Sequence, residues 1–374
     1  MNFLDGIRVL DLSQFLPGPF ATQMLSDMGA DVVKVEPPKG DPMRGLDPIT
    51  NKRGPSPYHA LVNAGKRVIA IDLKSDQGKT DFNALVKQAD VLLESYRPGV
   101  MARLGFGWES LQSINPKLIH CALSGFGQNG PLSLSAGHDI NYVAAAGQLY
   151  LTGTHEAPHP AFPMVADYAG ALQASVSILG ALVGRGKTGQ GAFIDVAMTD
   201  AVLAWQSQTL AATQLGNTVA RDQNMLTGGA AFYQVYPCAD ERFISLGAIE
   251  EVFWYNFCQA VGHLEWVARQ HEALPQSDLI KDVAAMFETK PQPHWDRLLS
   301  KIDCCFHVMP TPEELSIFPQ HVARQLIQPL NIPDHGNINT VLYPAWVNGA
   351  APKARKSVQF SCVEDIVKGW GKIL

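Results

Sequence analysis

The sequence predicts an α/β protein, a doubly wound parallel sheet followed by a smaller α+β domain. Three observations predict it. Short apolar, β-branched runs alternate with helical stretches over the first 200 residues; Gly and Pro punctuate the connections; and beyond about residue 216 the pattern changes to a hairpin followed by helices. At 374 residues the chain also exceeds one comfortable hydrophobic core and fits two domains.

Taken in order, Ile7 to Leu12 reads as a strand, Phe20 to Met28 as a helix and Asp31 to Glu36 as a second strand, which together form a βαβ unit. The loop after the first strand, Ser13 to Pro19, falls at the carboxyl edge of the sheet, where open parallel sheets bind ligands. Pro37-Pro38 and Gly54 to Pro57 read as loops. A strand from Arg67 to Leu73, a helix from Asp76 to Lys87, a strand from Asp90 to Glu94, a short helix from Glu109 to Ile114 and a strand from Leu118 to Leu123 continue a Rossmann-like alternation. A small-residue helix from Ala169 to Val183, a glycine-rich turn and a strand from Phe193 to Met198 follow. Thr199 is placed to cap a helix that stops at Gly216.

Residues 1–200 are thus the expected large domain, 201–224 a linking helix and loop, and 225–329 the small domain. The small domain opens on a hairpin, Phe232 to Pro237 and Phe243 to Leu246, turning at Asp240-Glu241. Helices follow at Glu251 to Val261, Ser277 to Glu288 and His294 to Ile302. Residues 330–374, with a strand at Val341 to Tyr343 and an amphipathic segment from Val363 to Trp370, are expected to return to the large domain.

A net charge of −6 and a pI near 6.0 argue against nucleic-acid binding, which needs a broad basic field. The six cysteines include no C-x-x-C pair, so neither a zinc site nor a disulfide framework is indicated, and reduced cytoplasmic thiols are expected. The N-terminus lacks a basic segment followed by an apolar one, so no secretory signal is read there. The most apolar stretch, Ala169 to Gly184, is interrupted by Gln173, Ser175 and Ser177 and is shorter than the ~20 residues of a membrane span.

Gly184-Arg-Gly-Lys-Thr-Gly189 satisfies G-x-G-x-x-G, but it follows a helix and precedes a strand, the reverse of a dinucleotide site. Gly125-Phe-Gly-Gln-Asn-Gly130 follows a strand and reads as a loop at the carboxyl edge, with glycines that suit close approach of backbone to a ligand. His138, shortly after that loop, lies where a helix begins and backbone N–H groups are unpaired. Alone it fits a structural histidine; beside two separated carboxylates, Asp167 and Glu250, it fits acid/base chemistry on a carbon acid. Asp167 equally fits a helix N-cap, and Glu250 a first-turn acid complementing a helix dipole. A buried Glu250 would fix the imidazole tautomer. Arg44, Lys66, Arg67, Lys74, Arg97 and Arg103 recur near strand ends as candidate phosphate contacts, with Tyr96 able to stack on a planar base.

These residues resemble the class III CoA-transferase superfamily, and within it the alpha-methylacyl-CoA racemases. The superfamily pattern is carried by Val9 to Leu12, Gly29 to Glu36, Arg97 to Gly105, Ser124 to Pro131 and Thr188 to Gly191 with Asp195 to Met198. The racemase branch is marked by Gly137-His-Asp-Ile-Asn-Tyr142 and Gly247-Ala-Ile-Glu250. The resemblance implies that His138, oriented by Glu250, and Asp167 are the acid/base pair, with the Asp139 backbone N–H on the thioester oxygen and Gly125 and Tyr142 lining the substrate site. It further implies an acyl-CoA substrate held by Arg44, Ile71, Lys74, Tyr96, Arg97, Val100, Arg103 and Leu104. No permanently bound cofactor or metal is implied, and an interlocked homodimer sharing its active sites is. The chain departs from the family in having Tyr168-Ala-Gly-Ala171 after Asp167, and Pro37-Pro38 where an arginine is usual, which leaves Lys39 or Arg44 for that phosphate. The alternative on the same scaffold is CoA transfer between carboxylic acids through an Asp167 mixed anhydride. A non-catalytic acyl-CoA binding protein is the third reading.

Overall fold

The structure, a computed structural model, describes residues 2–371. Two compact units make up the chain: Met1–Ala146, Phe162–Trp205 and Pro319–Leu374 in the first, Gly147–Ala161 and Gln206–Phe318 in the second. The second unit thus takes Gly147–Ala161, a stretch the sequence placed in the larger domain, and its main part runs from Gln206, within the expected linker, to Phe318.

The first unit runs β1 (Arg8–Asp11), α1 (Pro17–Asp27), β2 (Asp31–Glu36), α2 (Pro57–Asn63), β3 (Arg67–Ala70), α3 (Asp76–Val86), β4 (Val91–Glu94), α4 (Val100–Leu104), α5 (Trp108–Ile114), β5 (Ile119–Ser124), α6 (Asp139–Ala145), α7 (Val165–Thr188), β6 (Ala192–Ala197) and α8 (Met198–Leu203). The second holds α9 (Ser207–Gln214), β7 (Tyr233–Pro237), β8 (Phe243–Gly247), α10 (Glu251–Val261), α11 (Ser277–Phe287), α12 (Gln292–Leu299) and β9 (Phe306–Val308). The chain then returns to the first unit as α13 (Pro319–Arg324), β10 (Ile327–Ile332), β11 (Gly336–Val341), β12 (Gln359–Phe360) and α14 (Val363–Gly371).

Seven strands form the main sheet in the order β12-β3-β2-β1-β4-β5-β6, every pair parallel. The order reverses between β1 and β4, so their carboxyl ends diverge and leave a crevice, the place where such sheets bind ligands. Continuous apolar runs explain the central strands: Val91, Leu92 and Leu93 of β4 are fully buried, as a strand covered on both faces requires. On one face Phe82 and Leu85 of α3, Leu111 of α5 and Ile366 and Trp370 of α14 pack against Leu10, Val33 and Leu92. The Trp370 indole donates to Asp31 at 2.8 Å, which fastens the C-terminal helix to the start of β2.

α7 is longer than the sequence suggested. It starts at Val165, so Asp167 lies in its first turn instead of capping it, and it continues through Gly184 and Gly186 to a left-handed Gly189. At 24 residues it is long and apolar enough to cross a membrane, so length no longer argues against a span. Its small-residue stripe, including Ala169, Gly170, Ala171 and Ala174, is buried, and a Cβ on Gly170 would meet Met198 at 2.5 Å. The helix expected from Thr199 to Leu215 is broken into α8 and α9, and the strand expected at Val341 to Tyr343 is displaced to Gly336–Val341, paired antiparallel with β10. The loop expected at Gly54 to Pro57 holds through Ser56, and Pro57 begins α2, where the Ser56 hydroxyl accepts from the Tyr58 N–H.

Beneath the crevice lies a buried ionic cluster. The Lys66 ammonium contacts the Asp11 carboxylate at 3.0 Å, Thr22 Oγ1 and the Pro19 carbonyl at 2.7 Å, and Asn63 Oδ1 at 2.9 Å. Lys34 reaches the Ser13 carbonyl at 2.7 Å and Asp41 at 3.0 Å. Glu36, Asp41 and His59 lie close enough together to suggest a cation site. Positive charge is already supplied there, because Arg44 binds Glu36 through two nitrogens, at 2.7 and 3.0 Å, and Lys34 pairs with Asp41.

In the second unit β7, β8 and β9 form an antiparallel sheet, and Tyr236, Trp254, Phe257, Phe287 and Trp295 make its core with α10, α11 and α12.

Candidate active site

A cavity of about 350 Å³ opens at the sheet's switch point, within the first unit. Gln14 and Phe15 reach it from the loop after β1, Ser95 to Pro98 from the loop after β4, and Ser124 to Phe126 from the loop after β5. Gly137, His138 and Tyr142 come from the start of α6, Asp167 from α7 and Met198 from α8. Residues 29 apart in sequence, His138 and Asp167, therefore line one space.

Asp139 ties them together. Its Oδ1 accepts from the N–H groups of Ala166 at 2.6 Å and Asp167 at 3.1 Å, so the residue after His138 caps the helix that carries Asp167. The Asn141 side chain accepts from the His138 N–H at 3.0 Å, which starts α6. The N–H of Asp139 has no acceptor among the described residues and remains available at this helix start. His138 itself is exposed in the single chain, with the Phe15 ring edge-on to it at 6.5 Å between centroids.

Burial, and then the neighbouring Asp139 charge, push the Asp167 carboxyl up to about 7. Asp139→Asn keeps an oxygen for the two N–H groups and removes the charge. It is expected to lower the pKa of Asp167, moving any activity limb governed by that carboxyl to lower pH. A pH–rate profile checks this, and an unmoved limb would show that burial alone sets the value.

Tyr142 fills a niche made by two glycines. A Cβ at Gly125 would stand 2.3 Å from its ring, and one at Gly137 2.7 Å, so both positions require glycine for close approach. The Tyr142 hydroxyl donates to the Gly137 carbonyl at 2.5 Å, which holds the peptide just before His138. Tyr142 is thus a support of the site as well as part of its lining.

A second groove, about 230 Å³, adjoins the first through Gln14 and Tyr96 and is lined by Ile71, Lys74, Tyr96, Val100 and Leu104. The structure therefore gathers five of the residues expected on the CoA side, and Arg97 lines the first cavity. Arg103 lines neither. Arg44 lines neither: its guanidinium is held by Glu36 and lies over the Phe360 ring, and it borders a separate depression. Lys39 lines a neighbouring depression with Glu36, Pro37 and Ala70.

Glu250 is carried by a different element. It stands at the N-cap of α10 in the second unit, exposed in this chain, and no hydrogen bond to its carboxylate is made among the described residues. Gln14, Phe15, Phe126 and Met198 line the cavity without having been singled out. Glu94 was hidden in an apolar strand: its buried carboxylate accepts from the Tyr96 N–H at 2.6 Å and so holds the β4 loop, and burial pushes it up to about 7.

Residues 4–358 match CoA-transferase family III. The chain is 36% identical over 326 residues to a mouse protein named alpha-methylacyl-CoA racemase, covering 85% of this chain and 80% of that one. It is 34% identical to an acetyl-CoA:oxalate CoA-transferase of Acetobacter aceti over 333 residues, 86% of this chain and 85% of that one. A crystal structure of a CAIB/BAIF family protein from Brucella suis superposes with a TM-score of 0.81 at 26% identity, covering all of both chains. With sequence and fold in agreement along nearly the whole length, the chain belongs to CoA-transferase family III.

Proposed function

We propose that this enzyme is a racemase or epimerase of 2-methylacyl-CoA thioesters, working by two-base proton transfer through an enolate. The observation that carries the reading is the shared cavity of His138 and Asp167, an imidazole beside a carboxyl held near neutrality. One group removes the α-proton while the other, protonated, returns a proton to the opposite face. A carboxyl at about 7 exists in both forms at neutral pH, as a group that must act as acid in one direction and base in the other requires. The free Asp139 N–H is the donor for the enolate oxygen.

The adjoining groove is assigned to the CoA moiety, with Tyr96, Ile71 and Leu104 against the base and Lys74 and Arg97 toward phosphates. No further cofactor is required, since the thioester itself acidifies the α-carbon. Exposed Val176 and Val183 on α7, and Leu210 and Leu215 around α9, support a homodimer in which Glu250 completes the site by orienting His138. A cytoplasmic setting fits the free thiols.

CoA transfer through an Asp167 anhydride is the competing reading, and the similarity to the oxalate transferase keeps it in view. The imidazole weighs against it, because anhydride chemistry at Asp167 gives the His138 that lines the same cavity no task. Incubation with an optically pure 2-methylacyl-CoA in heavy water decides between them. Deuterium at the α-carbon with loss of optical purity, and no acceptor acid present, is the expected result; CoA transfer to an added acid without exchange would overturn it.

A further inference from the structure

Phe15 is held in a conformation that its own side chain does not favour. Its φ is +61°, in the left-handed region where a Cβ crowds the following carbonyl. Both flanks of the turn are fixed. The Ser13 N–H donates to Asp11 at 2.9 Å, Gln14 N–H donates to Ser95 Oγ at 3.0 Å, and α1 begins at Pro17. Gly18 packs so closely on Ser13 that a Cβ there would stand 2.1 Å from the serine Cβ. Glycine at position 15 would make the same turn without strain. Burial does not account for the ring either, since Phe15 is 42% exposed.

The ring's position accounts for it better. It lines the reaction cavity edge-on to the His138 imidazole, with ring planes at 86°. A strained residue kept at such a place points to a task in the site. We propose that Phe15 determines which α-substituents the site accepts: its ring walls the space beside His138 that the group on the α-carbon must occupy during proton transfer. This rests on the racemase reading of the cavity.

The test uses the full chain and its Phe15→Ala, Phe15→Gly and Phe15→Leu variants. Deuterium uptake at the α-carbon is measured in heavy water for 2-methylbutanoyl-CoA and 2-phenylpropanoyl-CoA. The alanine and glycine variants are expected to raise the phenyl-to-alkyl ratio of kcat/KM about tenfold or more over the parent, with leucine between. Phe15→Gly should also melt above Phe15→Ala, because only glycine relieves the turn. A ratio moved less than about twofold, whether both rates persist or fall together, overturns the inference while leaving the racemase reading intact. A parent chain that transfers CoA but exchanges no α-proton overturns both.

Discussion

Replacement of His138 by alanine is expected to lower α-proton exchange by about 10²- to 10⁴-fold, the contribution of a positioned general base or acid. The fold should survive, because the side chain is exposed and the bond that starts α6 uses the His138 backbone N–H. The variant is informative because the imidazole divides two chemistries on one scaffold. A transferase proceeding through Asp167 has no task for it, so CoA transfer to an added acid would continue unchanged. Asp167→Asn, in contrast, should remove either activity. Exchange in His138→Ala within about threefold of the parent would take the imidazole out of the mechanism.

Lys66→Met should produce the largest loss of stability, about 3–5 kcal/mol, by leaving the fully buried Asp11 carboxylate without its nearest cation. Burial works to raise the Asp11 carboxyl, and the charges of Lys66 and Lys34 with hydrogen bonds from Ser13 and Thr22 overcome it, so that it lies well below the usual carboxylate range. Its folded pKa is depressed; the stability it contributes is therefore present above its ordinary value of 3.8 and is lost as pH falls toward the folded one. In Lys66→Met that protection shrinks, and acid unfolding should begin at higher pH. Urea unfolding of the single variant and of Lys66→Met with Asp11→Leu tests the cause. If the double variant is no more stable than Lys66→Met alone, an unpaired carboxylate is not the source of the loss.

The strands of the main sheet were readable because burial on both faces leaves continuous apolar runs, and Asp31–Glu36 coincides with the expected strand. β12 was not: only Gln359 and Phe360 pair, both exposed, and two such residues make no pattern. The carboxyl-edge rule placed the Ser13, Gly125 and His138 loops near one another, and that much of the candidate site could be expected from topology alone. The pairing of Arg44 with Glu36, eight residues earlier, was not legible, because the two meet only across a turn whose shape the sequence does not announce. Glu94 gave no signal, since one acid ending an apolar strand is indistinguishable from a boundary residue until its partner, the Tyr96 N–H, is seen. Phe15 was missed for a related reason, as positive φ is looked for at glycine or asparagine and not at an aromatic residue.

The carboxylate of Asp139 has a wider consequence. It joins the start of α6 to the start of α7, so the two groups assigned to proton transfer are spaced by backbone and one side chain. Other walls of the cavity come from elsewhere: Phe15 from the β1 loop, Phe126 from the β5 loop, Met198 from α8. On the proposed reading, the reaction and its substrate range are therefore separable properties of this chain. Wall residues can be exchanged to admit a different acyl group while the spacing between imidazole and carboxyl is carried over unchanged, which makes the scaffold modular in a way that a site built from a single loop would not be.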